Sequence, residues 1–109
     1  MFVHNDDVKS TVMMEGVTRK VMARGGSLMM VEVTFDKKGT ILPKHKHFHE
    51  QVTYIVKGSM EFEVNGETQI IKPGDSVYMP SNMEHGAVIL EDDTVALDTF
   101  TPQREDFLE

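Results

Sequence analysis

Apolar and polar side chains alternate along several short stretches of the chain, and this period-two pattern is typical of strands that bury one face. The clearest case is residues 60–71, where Met60, Phe62 and Val64 alternate with glutamates and precede an Asn-Gly dipeptide and the sequence ETQII. Asn-Gly tolerates the positive φ angles that a two-residue hairpin loop requires. We therefore predict a β-hairpin over these residues.

Turn-forming residues divide the rest of the chain at short intervals, roughly every 8–12 residues, which is typical of a sandwich or barrel of short strands. Between the turns lie runs rich in β-branched and aromatic residues, including 28–35, 52–57, 76–79 and 95–101. The C-terminal sequence PQREDFLE could form one turn of helix, but we do not predict a helix there. The pattern predicts an all-β fold of about ten strands, closed into a barrel or a double-sheet jelly roll.

The size and composition of the chain limit the classes of protein to which it can belong. A chain of 109 residues predicts a single domain spanning 1–109, large enough to bury a core without disulfides or a structural metal. The absence of cysteine excludes thiolate zinc sites and fits a reducing compartment. No apolar run approaches the ~18 residues of a membrane span, and the N-terminus lacks a signal-peptide core. We expect a cytoplasmic protein that does not bind membranes.

The formal net charge of -7 argues against nucleic-acid binding, which needs basic side chains to neutralise phosphates. The charges are unevenly distributed, because Lys37, Lys38, Lys44 and Lys46 lie beside a histidine cluster, whereas eight of the eighteen acidic residues lie in the termini and at 91–93. Local charge at a site can oppose the total charge. We therefore expect a cationic pocket inside an acidic shell, and the acidic total does not exclude a small anionic ligand.

Three of the five histidines fall in the sequence HKHFHEQ at 45–51. Residues i and i+2 of a strand point to the same face, so His45 and His47 can converge on one point. Two neighbouring imidazoles are the beginning of a divalent-metal site. Taken alone, the pair fits equally well a solvated polar patch or a pH-sensitive pair without a metal.

The spacing around these histidines resembles the two sequence motifs of the cupin family. The first motif is reproduced at five positions, namely Gly39, His45, His47, Gln51 and Gly58, with glutamine where glutamate is usual. The second is reproduced at Gly74, Pro80 and His85, with Asn82 in place of its last glycine and Ile89 in place of its terminal asparagine. This resemblance implies a small jelly-roll β-barrel that holds a metal ion at the positions of His45, His47, Gln51 and His85.

The glutamine at position 51 changes the expected chemistry of such a site. Three neutral imidazoles and the neutral amide oxygen of Gln51 leave a divalent ion its full charge, which makes it a stronger Lewis acid but a more weakly bound one. This ligand set suits several ions, including Ni, Zn, Fe, Mn and Co. The alternative is a drifted, metal-poor site. We expect His49 to support the site or to face solvent, and His4 to be unrelated to it.

Alternation along residues 95–100 places Ala96, Asp98 and Phe100 on one face of a strand. An aspartate between apolar positions is unfavourable unless it is paired or functional. Burial would raise its pKa, as a proton-transfer residue working near neutral pH requires. Periodicity alone leaves open whether Asp98 points outward, or pairs with Arg104 as a structural ion pair.

The ending LDTFTPQREDFL, the opening MFVHND and the HEQ sequence resemble the KdgF family of pectin-degradation cupins. The resemblance implies an enzyme acting on 4,5-unsaturated monouronates, the products of pectin and alginate lyases, which it converts to linear 5-keto-4-deoxyuronate. It also assigns functional positions to Asp98, Phe100 and Arg104, beside the metal ligands. Because small cupins are often dimers, the resemblance to cupins further implies a homodimer.

The predicted mechanism gives each of these groups a role. The metal acts as a Lewis acid on the carboxylate and the C5 oxygen, Asp98 moves the proton, Arg104 grips the carboxylate and Phe100 walls the pocket. Three alternatives remain open from sequence. They are a cupin dioxygenase acting on a small molecule, a non-catalytic cupin that senses or binds uronates, and a structural cupin with a vestigial site.

Overall fold

The computed structural model describes residues 1–108, and strands make up most of this part of the chain. Ten strands follow in chain order: β1 (Thr11–Met14), β2 (Val17–Gly25), β3 (Leu28–Phe35), β4 (Ile41–His45), β5 (Glu50–Lys57), β6 (Met60–Val64), β7 (Glu67–Ile71), β8 (Ser76–Met79), β9 (His85–Ile89) and β10 (Thr94–Thr101). Two short 3₁₀ helices flank them, at Asn5–Asp7 and Glu105–Leu108. The prediction of about ten strands is confirmed.

The strands form two sheets, and the core lies between them. The six-stranded sheet has the order β1-β2-β3-β10-β5-β8, and the four-stranded sheet has the order β4-β9-β6-β7. All their pairings are antiparallel. Because β10 lies between β3 and β5, strands distant in sequence meet in the middle of the larger sheet. The predicted all-β jelly roll is confirmed.

The predicted hairpin is formed by β6 and β7, which pair from Met60–Ile71 to Val64–Glu67. Its turn has Asn65 at φ 50° and Gly66 at φ 81°, both in the left-handed region that Asn-Gly tolerates.

The inner faces of the strands follow the period of two seen in the sequence. Four alternate side chains of β3 are at most 4% exposed, namely Met29, Val31, Val33 and Phe35. On β10, Ala96 and Phe100 are each 2% exposed. Burial of each large apolar side chain contributes about 1.5–3 kcal/mol relative to leaving it in water. Asp98 lies between these two residues on the inner face, so a carboxylate faces the interior beside the core.

The C-terminal tail differs from the prediction, because Glu105–Leu108 forms a 3₁₀ helix. Phe107 of this helix is partly buried and packs against the hydrophobic core. The helix therefore depends on a contact with residues distant in sequence, which no local pattern reveals.

No helix within residues 1–108 has the length and apolar character needed to cross a bilayer.

Gly58, which links β5 to β6, offers a direct test of the packing between these strands and β10. Its φ is +79°, and an added Cβ would lie 2.1 Å from Oγ1 and 2.8 Å from Cα of Thr94. Gly74 has a φ of +92° but open space around it. We expect Gly74→Ala to cost only the strain of a left-handed residue, about 1–2 kcal/mol. Gly58→Ala should add a backbone clash and cost about 3 kcal/mol or more.

The measurement is the free energy of unfolding from urea titrations of the chelator-treated proteins, with Gly25→Ala as a control at a site without positive φ or close neighbours. Equal losses for Gly58→Ala and Gly74→Ala would contradict the packing described for Thr94.

Candidate metal centre

Three histidines meet at one end of the barrel. His45, the last residue of β4, is paired in register with His85, the first residue of β9. His47 lies in the loop between β4 and β5. One ring nitrogen from each of the three lies within 4.8 Å of the others. The predicted convergence of His45 and His47 is found, but the loop after β4, rather than strand alternation, brings His47 to the site.

The second ring nitrogen of each histidine is held by the backbone. Nδ1 of His45 donates to the carbonyl oxygen of Pro43 (3.0 Å), and Nδ1 of His47 donates to that of His49 (2.9 Å). Nδ1 of His85 donates to the carbonyl oxygen of Met83 (2.9 Å). A carbonyl oxygen only accepts, so these bonds place the proton on Nδ1 and leave the lone pair of Nε2 free. Metal-ligating histidines are held in this way in many metalloproteins.

The atoms left without hydrogen-bond donors point to a cation. Oε1 of Gln51 lies 3.0 Å from Nε2 of His47, although both atoms carry lone pairs when Nδ1 holds the proton. Nε2 of His85 is buried without a hydrogen-bond partner. A divalent ion shared by these atoms would satisfy all of them, so the donor set of three imidazoles and one amide fits a metal.

The electrostatics keep two of the imidazoles neutral, as metal ligation requires. Burial lowers the pKa of His85 to about 4. Burial also lowers the pKa of His47, and the positive charge of Arg104 acts in the same direction. Both rings are therefore uncharged near pH 7, with their lone pairs available.

Asp98 faces the interior of the barrel and is joined to the candidate ligand Gln51. Nε2 of Gln51 donates to Oγ1 of Thr53 (2.9 Å), and Oγ1 of Thr53 donates to Oδ1 of Asp98 (2.7 Å). Burial raises the pKa of Asp98 to about 6, although the hydrogen bond from Thr53, the nearby amide of Gln51 and the charge of Arg104 oppose the shift. The question that periodicity left open is settled, because the carboxylate points inward.

Thr53 was missed by the sequence reasoning. It is two residues after Gln51 on the inner face of β5 and only 2% exposed. The same alternation that placed Asp98 inside would have placed Thr53 beside Gln51, so a signal was present. This signal did not single out Thr53, because threonine is common in β-strands.

Arg104 lies beside the site and pairs with Asp106, not with Asp98. Its Nη2 is 2.9 Å from Oδ2 of Asp106. The guanidinium carbon lies 5.3 Å from the centre of the Phe100 ring and 4.1 Å from that of Phe107. The guanidinium carbon of Arg19 lies 4.2 Å from the same Phe107 ring. Phe107 therefore holds Arg104 in place by stacking, and it too was missed from sequence.

One cavity joins most of these groups. Its polar and aromatic lining comprises His45, Gln51, Thr53, His85, Asp98, Phe100 and Arg104, and most of its other lining residues are apolar. His47 belongs to the histidine cluster but does not line the cavity. Among the residues that the structure describes, no lysine lines this cavity. Lys44, one of the lysines expected to make the pocket cationic, instead pairs with Glu63 at 2.9 Å. Arg104 supplies the protein's positive charge at the cavity.

The two remaining histidines differ in their relation to the site. The carbonyl of His49 accepts the hydrogen bond from His47, and the two rings lie 5.5 Å apart. His49 therefore supports the site. His4 is exposed before the first 3₁₀ helix and is not part of the histidine cluster.

Comparisons with known protein families and sequences both identify cupins as similar to this chain. Residues 31–100 match the family model described as "Cupin domain". The pectin degradation protein KdgF of Dickeya dadantii (strain 3937) is 44% identical over 95 residues, which is 86% of each chain.

Two solved structures are similar over nearly the whole chain. The structure of KdgF from Halomonas sp. superimposes with a TM-score of 0.93 at 37% identity, covering 98% of this chain and 97% of that one. An RmlC-like cupin from Shewanella frigidimarina NCIMB 400 gives a TM-score of 0.90 at 34% identity, covering 97% and 94%.

We expect the purified chain to bind one Zn²⁺ ion, with His85→Ala reducing the affinity by more than about 100-fold. Loss of a group that merely supports a ligand already costs about 10–100-fold, and a lost ligand costs more. His4→Ala is the matched control and should bind as the wild type does. Isothermal titration calorimetry on chelator-stripped protein measures this, and equal affinities for the two variants would rule out His85 as a ligand.

Proposed function

The chain belongs to the cupin family as a KdgF-type cupin of pectin degradation, and we propose that it is a metal-dependent enzyme that opens 4,5-unsaturated monouronates to linear 5-keto-4-deoxyuronate. The observation that carries this proposal is one cavity lined by two of the three clustered histidines, by Gln51, by the inward-facing carboxylate of Asp98 and by the guanidinium of Arg104. Its ligand is a small anionic sugar.

The reaction moves one proton and needs no electron transfer. The substrate is a cyclic hemiacetal whose ring oxygen sits on a C4=C5 double bond conjugated to a carboxylate. Removal of the proton on O1 forms the C1=O bond, breaks the bond between C1 and the ring oxygen, and leaves an enolate. Protonation at C4 then gives the 5-keto product, so substrate and product have the same composition. A bound divalent ion would supply Lewis-acid stabilisation of the negative oxygen.

Asp98 is the residue suited to move this proton. One carboxylate oxygen accepts the hydrogen bond from Thr53, and the side chain lines the cavity. Because burial raises the pKa of Asp98 to about 6, the carboxyl can both take up and release a proton near neutral pH. It acts at O1, at C4 or at both atoms.

Arg104 and Phe100 bind and orient the sugar. The planar guanidinium of Arg104 can hold a carboxylate through two hydrogen bonds, which lysine cannot do. Its present partner, Asp106, has a side chain that is 58% exposed. Such exposed pairs contribute at most about 1 kcal/mol, so a substrate carboxylate can replace Asp106. Phe100 is 2% exposed and forms a rigid wall beside the ring of His47.

The homodimer stays a prediction, and the outer face of the six-stranded sheet supports it. Val52, Tyr54 and Val56 of β5 and Tyr78 of β8 are between 43% and 52% exposed on that face. A second copy of the chain would cover these apolar side chains.

We expect Asp98→Asn to lower kcat on unsaturated galacturonate by about 10²–10⁴-fold, because asparagine cannot transfer the proton. Asparagine keeps an oxygen that accepts from Thr53, so metal binding should persist. The measurement is the loss of the conjugated-alkene absorbance with time, with bound metal quantified in the same samples.

Asp93→Asn, which makes the same chemical change at an exposed turn residue, is the control and should keep wild-type activity. Full ring-opening activity in metal-loaded Asp98→Asn would refute the assigned role. Binding of the uronate by the wild type without loss of the alkene would favour a sugar-binding cupin instead.

A further inference from the structure

Thr53 is the only side chain that hydrogen-bonds to both Gln51 and Asp98 in the part of the chain that the structure describes. Gln51 and Thr53 are 7% and 2% exposed. Thr53 lies opposite Asp98 in the register between β5 and β10. The metal centre and the proposed proton-transfer group therefore share one buried neighbour.

The direction of these hydrogen bonds follows from the donors available. A threonine hydroxyl has one proton, and an ionised carboxylate can only accept, so the proton of Thr53 goes to Asp98. The hydroxyl oxygen is then free to accept, and the group facing it must be the NH₂ end of the Gln51 amide. This leaves Oε1 of Gln51 directed at the histidines.

The orientation of this amide matters because its two ends differ chemically. The oxygen is a metal ligand, whereas the NH₂ group is a donor without an available lone pair. An amide turned by 180° would direct its hydrogens at the metal position. The glutamate that is usual in the cupin motif has two equivalent oxygens and does not face this problem.

We propose that Thr53 is a positioning residue whose hydroxyl selects the amide orientation that turns the oxygen of Gln51 toward the metal, while it holds the carboxylate of Asp98. The inference rests on the metal centre of the proposed function but not on the substrate. It concerns a requirement that the glutamine at position 51 creates in this chain.

The test compares Zn²⁺ affinities of chelator-stripped proteins by isothermal titration calorimetry. Thr53→Val has nearly the same shape but no hydroxyl, and we expect it to weaken binding by about 10–100-fold, as is typical when a group that orients a ligand is lost. Thr53→Ser keeps the hydroxyl and should restore affinity close to that of the wild type.

The second comparison introduces Thr53→Val into a protein that also carries Gln51→Glu, and it separates amide orientation from packing. A carboxylate has no wrong orientation, so Thr53→Val should change the affinity little when glutamate occupies position 51. Urea unfolding of the metal-free variants checks that each one folds. A Thr53→Val protein that binds Zn²⁺ like the wild type would overturn the proposal.

An equal loss of affinity on Thr53→Val substitution, whether position 51 holds glutamine or glutamate, would also overturn it, because the effect would then come from packing. Failure of the proposed function has a different signature, namely the expected pattern of Zn²⁺ affinities without any turnover of uronate. A wild-type chain that binds no divalent ion would overturn both.

Discussion

Polar groups inside an apolar barrel must find partners, because an unpaired buried polar group costs about 1–3 kcal/mol. This constraint organises the site. Backbone carbonyls take the Nδ1 protons of three histidines, and Thr53 joins Gln51 to Asp98. The lone pairs that remain, on Nε2 of His85 and between His47 and Gln51, face a common point. The groups that the protein leaves unsatisfied are thus the ones that a cation would satisfy.

The same constraint gives different environments to the two parts of the proposed reaction, namely Lewis-acid stabilisation and proton transfer. Neutral imidazoles and an amide leave the charge of a bound divalent ion uncompensated, while burial keeps the carboxyl of Asp98 ready to exchange a proton near neutral pH. Arg104 adds positive charge to the lining of the cavity, where it would favour an anionic sugar. Among the residues that the structure describes, Asp98 is the only acidic side chain that lines this cavity, so the net charge of -7 arises from residues outside it.

Much of the fold could be predicted from sequence because strands on a buried face repeat with a period of two, and Asn-Gly marks the turn between β6 and β7. The four candidate ligands followed from the resemblance to the two cupin motifs. The 3₁₀ helix at Glu105–Leu108 could not be predicted, because it depends on the packing of Phe107 against distant residues. The ion-pair partner of Arg104 could not be predicted either, because Asp98 and Asp106 are both close to Arg104 in the sequence. Strand alternation could have predicted that Thr53 faces the interior beside Gln51. Its role in the site becomes evident only from its hydrogen bonds.

The most direct test of the account is the rate at which the purified wild-type chain removes the alkene absorbance of unsaturated galacturonate before and after its metal is stripped. The account predicts rapid loss of absorbance by the metal-loaded protein, loss of that activity with chelator, and recovery when a divalent ion is returned. An unchanged rate after complete metal removal, or no loss of absorbance by the fully loaded protein, would contradict it.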